Sequence, residues 1–165
     1  MYYLDGSTFN AKVVGDDGEP VSGETVVMKV NGVTYKVKTD KNGIAKLPIR
    51  LKPKTYTITS TYNGKTVKNT IKVKQVLTLK TVKVKRSAKK LVLTATLKEG
   101  KKPLKGKKLI FIFEGKKYTA KTNKEGVAKV TIKMSVLKKL KVGKKVKYQV
   151  KYVNDYIIKT AKVER

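Results

Sequence analysis

The sequence predicts an all-β chain of two tandem antiparallel sandwiches, and three observations carry that expectation. One stretch occurs twice: Thr39-Asp40-Lys41-Asn42-Gly43-Ile44-Ala45 returns 83 positions later as Thr122-Asn123-Lys124-Glu125-Gly126-Val127-Ala128. The same spacing sets Pro20 on Pro103, Gly23 on Gly106, Gly32 on Gly115 and Tyr35 on Tyr118, so one unit is written out twice. Apolar residues alternate with polar ones over short runs bounded by Gly, Asn, Asp or Pro, which is the period of half-buried strands. No helical pattern follows Gly43 or Gly126.

Each copy of the seven reads as a turn. Asp40 or Asn123 accepts a backbone hydrogen bond from two residues on, and Gly43 or Gly126 supplies the positive φ that turns the chain into the next strand. A phosphate loop would need a helix after the glycine, and one or two carboxylates cannot surround calcium.

In chain order, Phe9, Ala11 and Val13 alternate until Gly15–Pro20 breaks the strand. Val26, Met28 and Val30 lead into Asn31-Gly32, a two-residue hairpin turn, and back along Val33, Tyr35 and Val37. Ile44 to Arg50 contains Pro48, which cannot donate to a ladder and places this strand at an edge or interrupts it. A second hairpin runs from Lys54 to Tyr62 and, past Asn63-Gly64, from Lys65 to Val73. Its inward rows are Tyr56, Ile58 and Tyr62, then Val67, Ile71 and Val73, with Asn69 on the same inward parity.

The junction Val73-Lys74-Gln75-Val76-Leu77 holds no Gly or Pro and is expected to be short and stiff. Leu77 and Leu79 fall on odd positions and Val82 and Val84 on even ones, so a bulge or a switch between sheets is expected near Lys80-Thr81. Leu91, Leu93, Ala95 and Leu97 match Phe9, Ala11 and Val13, with one residue of slippage in the following loop. Leu109, Phe111 and Phe113 follow, then Glu114-Gly115, Tyr118, Ala120 and the repeated turn. Ile110 and Ile112 take the opposite parity, so they either lie under a neighbouring element, the favoured reading, or form an exposed apolar strip.

Beyond Lys133 the separation becomes 90, Tyr152 matching Tyr62. The extra residues lie around Ser135–Gly143 and predict a single helical turn with Ser135 as N-cap and Gly143 as its stop. The last hairpin is expected at Val146–Val153, Asn154-Asp155 and Tyr156–Val163. The domains are thus residues 1–75, with six strands and an opening strand expected upstream of Tyr2, and 76–165, with seven. Strand number and turn spacing predict two immunoglobulin-like sandwiches with one short helical turn in the second. Without cysteine the cores rest on Val, Ile, Leu, Tyr and Phe, each worth roughly 1.5–3 kcal/mol when buried.

Composition bounds the function. The chain has 165 residues, 41 basic and 11 acidic, for a net charge of +30. Residues 1–75 hold 13 basic and 6 acidic residues, net +7, whereas residues 76–165 hold 28 and 5, net +23. Only Arg50, Arg86 and Arg165 are arginine. Lysine is a hydrated point charge unsuited to bidentate reading of bases, so diffuse attraction to polyanions is expected rather than specific nucleic-acid recognition. Most tyrosines share parity with core positions, which speaks against a base-stacking platform. Cysteine, histidine and tryptophan are absent, which removes disulfides, thiolate metal sites and the usual general base. No enzyme, cofactor or metal is expected. No run approaches a membrane span, and Met1–Asp5 is not a signal peptide. The abrupt start reads as a piece of something longer.

The order Pro-x-x-Gly, a hairpin with a Gly turn, Thr-(Asp/Asn)-x-x-Gly-x-Ala and a Tyr before the closing hairpin resembles the bacterial-type Ig-like repeats of large surface proteins. More narrowly, Ser135–Lys145 and Leu51–Thr59 resemble the repeats of adhesin-like proteins of methanogenic archaea. The resemblance covers nearly the whole chain. It implies a cell-surface or extracellular protein whose neighbouring repeats form a stalk, exported by a signal outside this segment, with no catalytic residues to carry over.

Candidate polyanion contacts are Lys101, Lys102, Lys105, Lys107 and Lys108, with Lys138, Lys139, Lys141, Lys144 and Lys145; the alternative is that they are the wet faces of strands. An anionic wall polymer or surface glycan is the expected partner. The rival reading is a dedicated polyanion- or carbohydrate-binding domain, and behind it a nucleic-acid-binding module. Asp16, Asp17 and Glu19 read as turn chemistry rather than a calcium site. A Lys–Asn crosslink through Asn69 is not expected, because Lys12 has outward parity.

Overall fold

The computed structural model describes residues 1–165. The chain divides into two compact units, Met1–Gln75 and Val76–Arg165, each a mainly antiparallel β-sandwich.

In unit 1, β1 (Thr8–Lys12) pairs with β4 (Ile44–Pro48), facing a four-stranded sheet of order β3-β2-β5-β6. The latter is made of β2 (Thr25–Val30), β3 (Val33–Lys38), β5 (Lys54–Tyr62) and β6 (Lys65–Val73). Its two hairpins turn at Asn31-Gly32 and Asn63-Gly64, where both residues take positive φ and match the twist of the strands they join. Val26, Met28, Val30, Ala45, Leu47, Tyr56, Ile58, Ile71 and Val73 form the core. Pro48 closes β4, whose one partner is β1, in keeping with its missing N–H. At the other end Tyr2 bridges Lys74 in parallel, with Tyr3 N–H donating to the Lys74 carbonyl at 3.0 Å.

The inward row expected along β6 holds only at Ile71 and Val73. Val67 is 59% exposed and Asn69 is exposed too. Both have the inward parity, since Val67 pairs with Ser60 and Asn69 with Ile58, but no strand lies over them because β1 has β4 as its single neighbour.

Unit 2 begins with β7 (Leu77–Leu79), β8 (Val84–Lys85), β9 (Lys90–Glu99) and β10 (Lys102–Pro103). It continues through β11 (Lys108–Phe113), β12 (Lys116–Lys121), β13 (Val127–Lys133), α1 (Met134–Leu137), β14 (Lys145–Tyr152) and β15 (Asp155–Glu164). One sheet runs β10-β9-β13 with β7 also on β9; the other is β12-β11-β14-β15-β8. The switch expected near Lys80-Thr81 is real: β7 pairs antiparallel with β9, and the chain then crosses to the other sheet, where β8 runs parallel to β15. Between the sheets lie Leu77, Leu93, Leu97, Leu109, Phe111, Phe113, Ile132, Tyr148 and Val150, all buried. Nine strands are present rather than seven, β8 and β10 being two-residue pairings with no run of their own.

Two local expectations are corrected. The helix starts at Met134, with Lys133 in the cap position and no side-chain capping bond, so Ser135 lies inside it. Burial of Leu137 and Leu140, one turn apart, sets its position. The last hairpin turns at Val153-Asn154, one residue early, with Asp155 already paired to Tyr152. Keeping Tyr152 in the row Val146, Tyr148, Val150 forces this and leaves Val153 at φ 54°, a conformation a β-branched residue rarely takes.

Candidate functional site

The repeated turn is the same device in both units. Asp40 Oδ1 accepts the N–H groups of Asn42 (2.8 Å) and Ile44 (3.1 Å); Asn123 Oδ1 accepts those of Glu125 (2.9 Å) and Val127 (3.0 Å). The Asp40 carboxyl is held below its ordinary range by the Ile44 and then the Asn42 N–H. Gly43 and Gly126 take φ of 75° and 77°. A Cβ on Gly43 would sit 2.6 Å from the Val13 carbonyl oxygen, and one on Gly126 would sit 2.5 Å from that of Leu97. Pro20 and Pro103 close over the same glycines, which explains why proline and glycine recur at one spacing. These four residues, Asp40, Gly43, Asn123 and Gly126, shape the fold.

A residue to which the sequence pattern assigns no role completes the device. The buried Thr39 hydroxyl donates to the Val21 carbonyl (2.7 Å) and accepts the Glu24 N–H (3.0 Å). Thr122 does the same with Leu104 (2.6 Å) and Lys107 (2.9 Å). The signal was present: a threonine precedes the Asp or Asn in both copies.

All ten candidate lysines are exposed, in two separate groups. Lys101 and Lys102 lie in the hairpin after the C-terminal end of β9, and Lys105, Lys107 and Lys108 follow into β11. Lys138, Lys139 and Lys141 follow α1, which begins where Lys133 pairs with Lys90 at the opposite end of β9. Lys144 and Lys145 lead into β14 at that same end, near Glu114. The ten residues of β9 span about 30 Å at roughly 3.3 Å each. That exceeds the ~8 Å screening length at physiological salt several times over, so the groups act independently. Lys144 pairs with Glu114 at 3.5 Å on the surface, a contact of little energetic weight. Lys159 serves the fold instead, since its Nζ donates to the Leu79 carbonyl and to Thr81 Oγ1, each at 2.7 Å, and so fastens the crossing segment.

The outer face of the five-stranded sheet brings together residues that the lysine groups do not include. Ile110 lies between Thr119 and Lys151 with Tyr156 beyond, and Ile112 between Lys117 and Gln149 with Ile158 beyond. Ile110 and Ile112 were expected to be covered. They are half-buried by side chains of their own sheet, with no element of the unit across them, while Tyr156 and Ile158 are 49% and 50% exposed. Beside them a shallow depression is lined by Ile112, Glu114, Lys145, Lys147, Gln149 and Ile158.

No family model and no curated protein matches the chain. Among solved structures it is similar to invasin, a bacterial integrin-binding protein, at 16% identity and a TM-score of 0.40, covering 98% of this chain and 38% of that one. A putative membrane anchored protein from Corynebacterium diphtheriae is similar at 14% identity and a TM-score of 0.46, over 99% of this chain and 51% of that one. A Ca²⁺-stabilized adhesin of an Antarctic bacterium that binds ice is similar at 18% identity and a TM-score of 0.36, over 97% and 44%. The chain therefore spans about half or less of each of these proteins, and the immunoglobulin-like assignment rests on the strand pairing given above.

The acidic loop is a turn: Asp17 Oδ1 accepts the Glu19 N–H at 3.0 Å. No group of three or more Asp, Glu, His or Cys is arranged to hold a metal ion. No helix is long and apolar enough to cross a membrane.

Proposed function

We propose that this chain is a non-catalytic Ig-like repeat segment of a cell-surface adhesin, of the bacterial-type Ig-like kind found in adhesin-like proteins of methanogenic archaea. Its sandwiches serve as a rigid spacer between neighbouring repeats of the same protein. The lysine-rich second unit associates weakly with anionic cell-wall or surface-glycan polymers. One observation carries the last point: both units use the same turn and the same strand register, yet one folds with a net charge of +7 and the other with +23. The fold does not demand the extra lysines, so they answer to something outside it. Hydrated ammonium groups on mobile stems give long-range, salt-sensitive attraction without recognition of detail.

A second reading is favoured by the outer sheet face. Tyr156, Ile158, Ile110 and Ile112 offer an apolar strip, Gln149 an amide, and Lys117, Lys147 and Lys151 a cationic border, a combination suited to the ring faces and carboxylates of an acidic sugar. The two readings separate in a binding titration of the full chain on immobilised uronic-acid and neutral polysaccharides. Diffuse association falls at least about tenfold between 50 and 200 mM salt and is indifferent to which uronic acid is offered. A dedicated sugar site gives a saturable, sugar-specific signal that survives the salt and is lost in Tyr156→Ala.

A further inference from the structure

Unit 1 contains an open groove of about 310 Å³ between β1 and β6. Phe9, Ala11, Val13, Val26, Tyr62 and Val67 make its apolar lining. Ser60 reaches its floor with a buried Oγ that has no hydrogen-bond partner. One wall is the edge of β1 facing away from β4, and that edge has no strand partner.

Unit 2 shows what this space holds when filled. Ala11 pairs with Ala45 as Ala95 pairs with Ala128, so β9 corresponds to β1, and β7 lies on the β9 edge. Leu77 and Leu79 of β7 are 0% and 5% exposed. Lys80 N–H donates to the Thr94 carbonyl, and Lys98 N–H to the Val76 carbonyl, each at 2.9 Å. By the same correspondence the Asn10 carbonyl and the Val14 amide stand on the groove edge of β1. Asn69 occupies the position of Lys159, whose ammonium holds the crossing segment by its Leu79 carbonyl, and an asparagine amide can donate to a carbonyl in the same way. The rim charges are Lys12 and Lys65, both cationic, with no acidic residue in the lining. A neutral or acidic side chain is therefore matched at the outward position that Thr78 takes in β7.

We propose that this groove is a strand-accepting site. It takes an extended segment with a Leu-x-Leu core, running antiparallel to β1 and joined in cis to the N-terminal side of Met1, as β7 joins β8. Backbone bonds to the β1 edge supply affinity and the two leucines pack on the apolar lining, the general physics of β-strand addition. The connection follows from register: Tyr2 pairs in parallel with Lys74 where Lys85 pairs with Glu164, so Met1 stands where Val84 stands. The proposal is independent of the lysine surface, because every lining residue belongs to unit 1.

The test is the full chain with a second copy of Leu77–Lys83 grafted directly ahead of Met1, compared with the ungrafted chain and with a graft whose two leucines are aspartate. The leucine graft is expected to slow hydrogen exchange of the Val14 amide at least about 100-fold. It should also raise the unit 1 unfolding midpoint by more than about 5 °C. The aspartate graft should do neither, and Asn69→Ala should reduce the gain of the leucine graft. No protection at Val14 with a monomeric leucine graft overturns the proposal. A leucine graft that protects Val14 only as a dimer overturns the cis assignment, since the strand would then come from a second copy. Equal protection by both grafts overturns the requirement for the Leu-x-Leu core.

Discussion

Compared strand by strand, β1 and β9 are one element in two surroundings. Both pair antiparallel with the strand that leaves the repeated turn, and both alternate small and large apolar residues toward the interior. Leu93, Ala95 and Leu97 of unit 2 are fully buried, whereas Phe9 and Ala11 are half-buried. The difference lies in the third strand, β7, which seals the β9 edge and has no counterpart along β1. Local sequence makes the strand and its register; the neighbour across the edge decides whether its side chains belong to a core.

The largest effect is expected where the two units agree. Replacing either turn glycine by alanine forces an L-residue to positive φ and drives its Cβ onto a backbone carbonyl oxygen that cannot swing away. Left-handed strain of about 1–2 kcal/mol and an overpacking cost of about 1–3 kcal/mol add, so Gly43→Ala and Gly126→Ala should each destabilise their own unit by about 2–5 kcal/mol. Denaturant unfolding followed by resolved resonances of each unit checks this. If only one glycine resists replacement, the two turns are not the same device.

A smaller effect, confined to unit 2, sharpens the contrast. Leu77→Ala removes a fully buried side chain from β7 and should cost about 3 kcal/mol by the cavity it leaves. It should also speed hydrogen exchange at Lys98, whose N–H is bonded to the Val76 carbonyl, making the β9 edge behave like that of β1. An unchanged exchange rate at Lys98 would mean that β7 is not what seals this edge.

The sequence made the strands, the hairpins and the sheet switch legible for local reasons. Alternation sets the period, Asn-Gly pairs set two turns, and a parity change between Leu79 and Val82 signals a bulge or a switch of sheet, of which the pairing of β7 and β8 shows the switch. What it did not show depends on residues distant in the chain. Parity tells which face Val67 and Asn69 take, but not that the face lies open. Propensity would never put Val153 at positive φ; packing of Tyr152 overrides it. The lysines were legible as charge, and their separation to opposite ends of β9 appears only once the register of β9, β13 and β14 is known. Thr39 and Thr122 lay in plain view inside the repeated stretch, but a hydroxyl that bonds two backbone groups of the loop ahead of the preceding hairpin leaves no periodic trace.

The smallest effect tests the single chemical difference between the two turns, a carboxylate at 40 against an amide at 123. Two backbone N–H groups, those of Ile44 and then Asn42, stabilise the charged form of Asp40 and lower its pKa below the ordinary 3.8. The folded state therefore holds its proton less tightly than the unfolded chain does. Its contribution is complete above about 3.8 and is lost as pH falls through the lowered value. Asn123 carries no proton to exchange, so its turn keeps its bonds throughout. Asp40→Asn should thus flatten part of the acid dependence of unit 1 below pH 4 and leave unit 2 unmoved, measured as unfolding midpoints of each unit from pH 7 to 2. The flattening should be partial, because Asp5 titrates in the same sense. Burial raises the Asp5 pKa, but hydrogen bonds from Ser7 and the Tyr2 N–H outweigh it and bring it below 3.8. An Asp40→Asn chain whose unit 1 keeps the full acid dependence would show that the carboxylate does no more in the first turn than the amide does in the second.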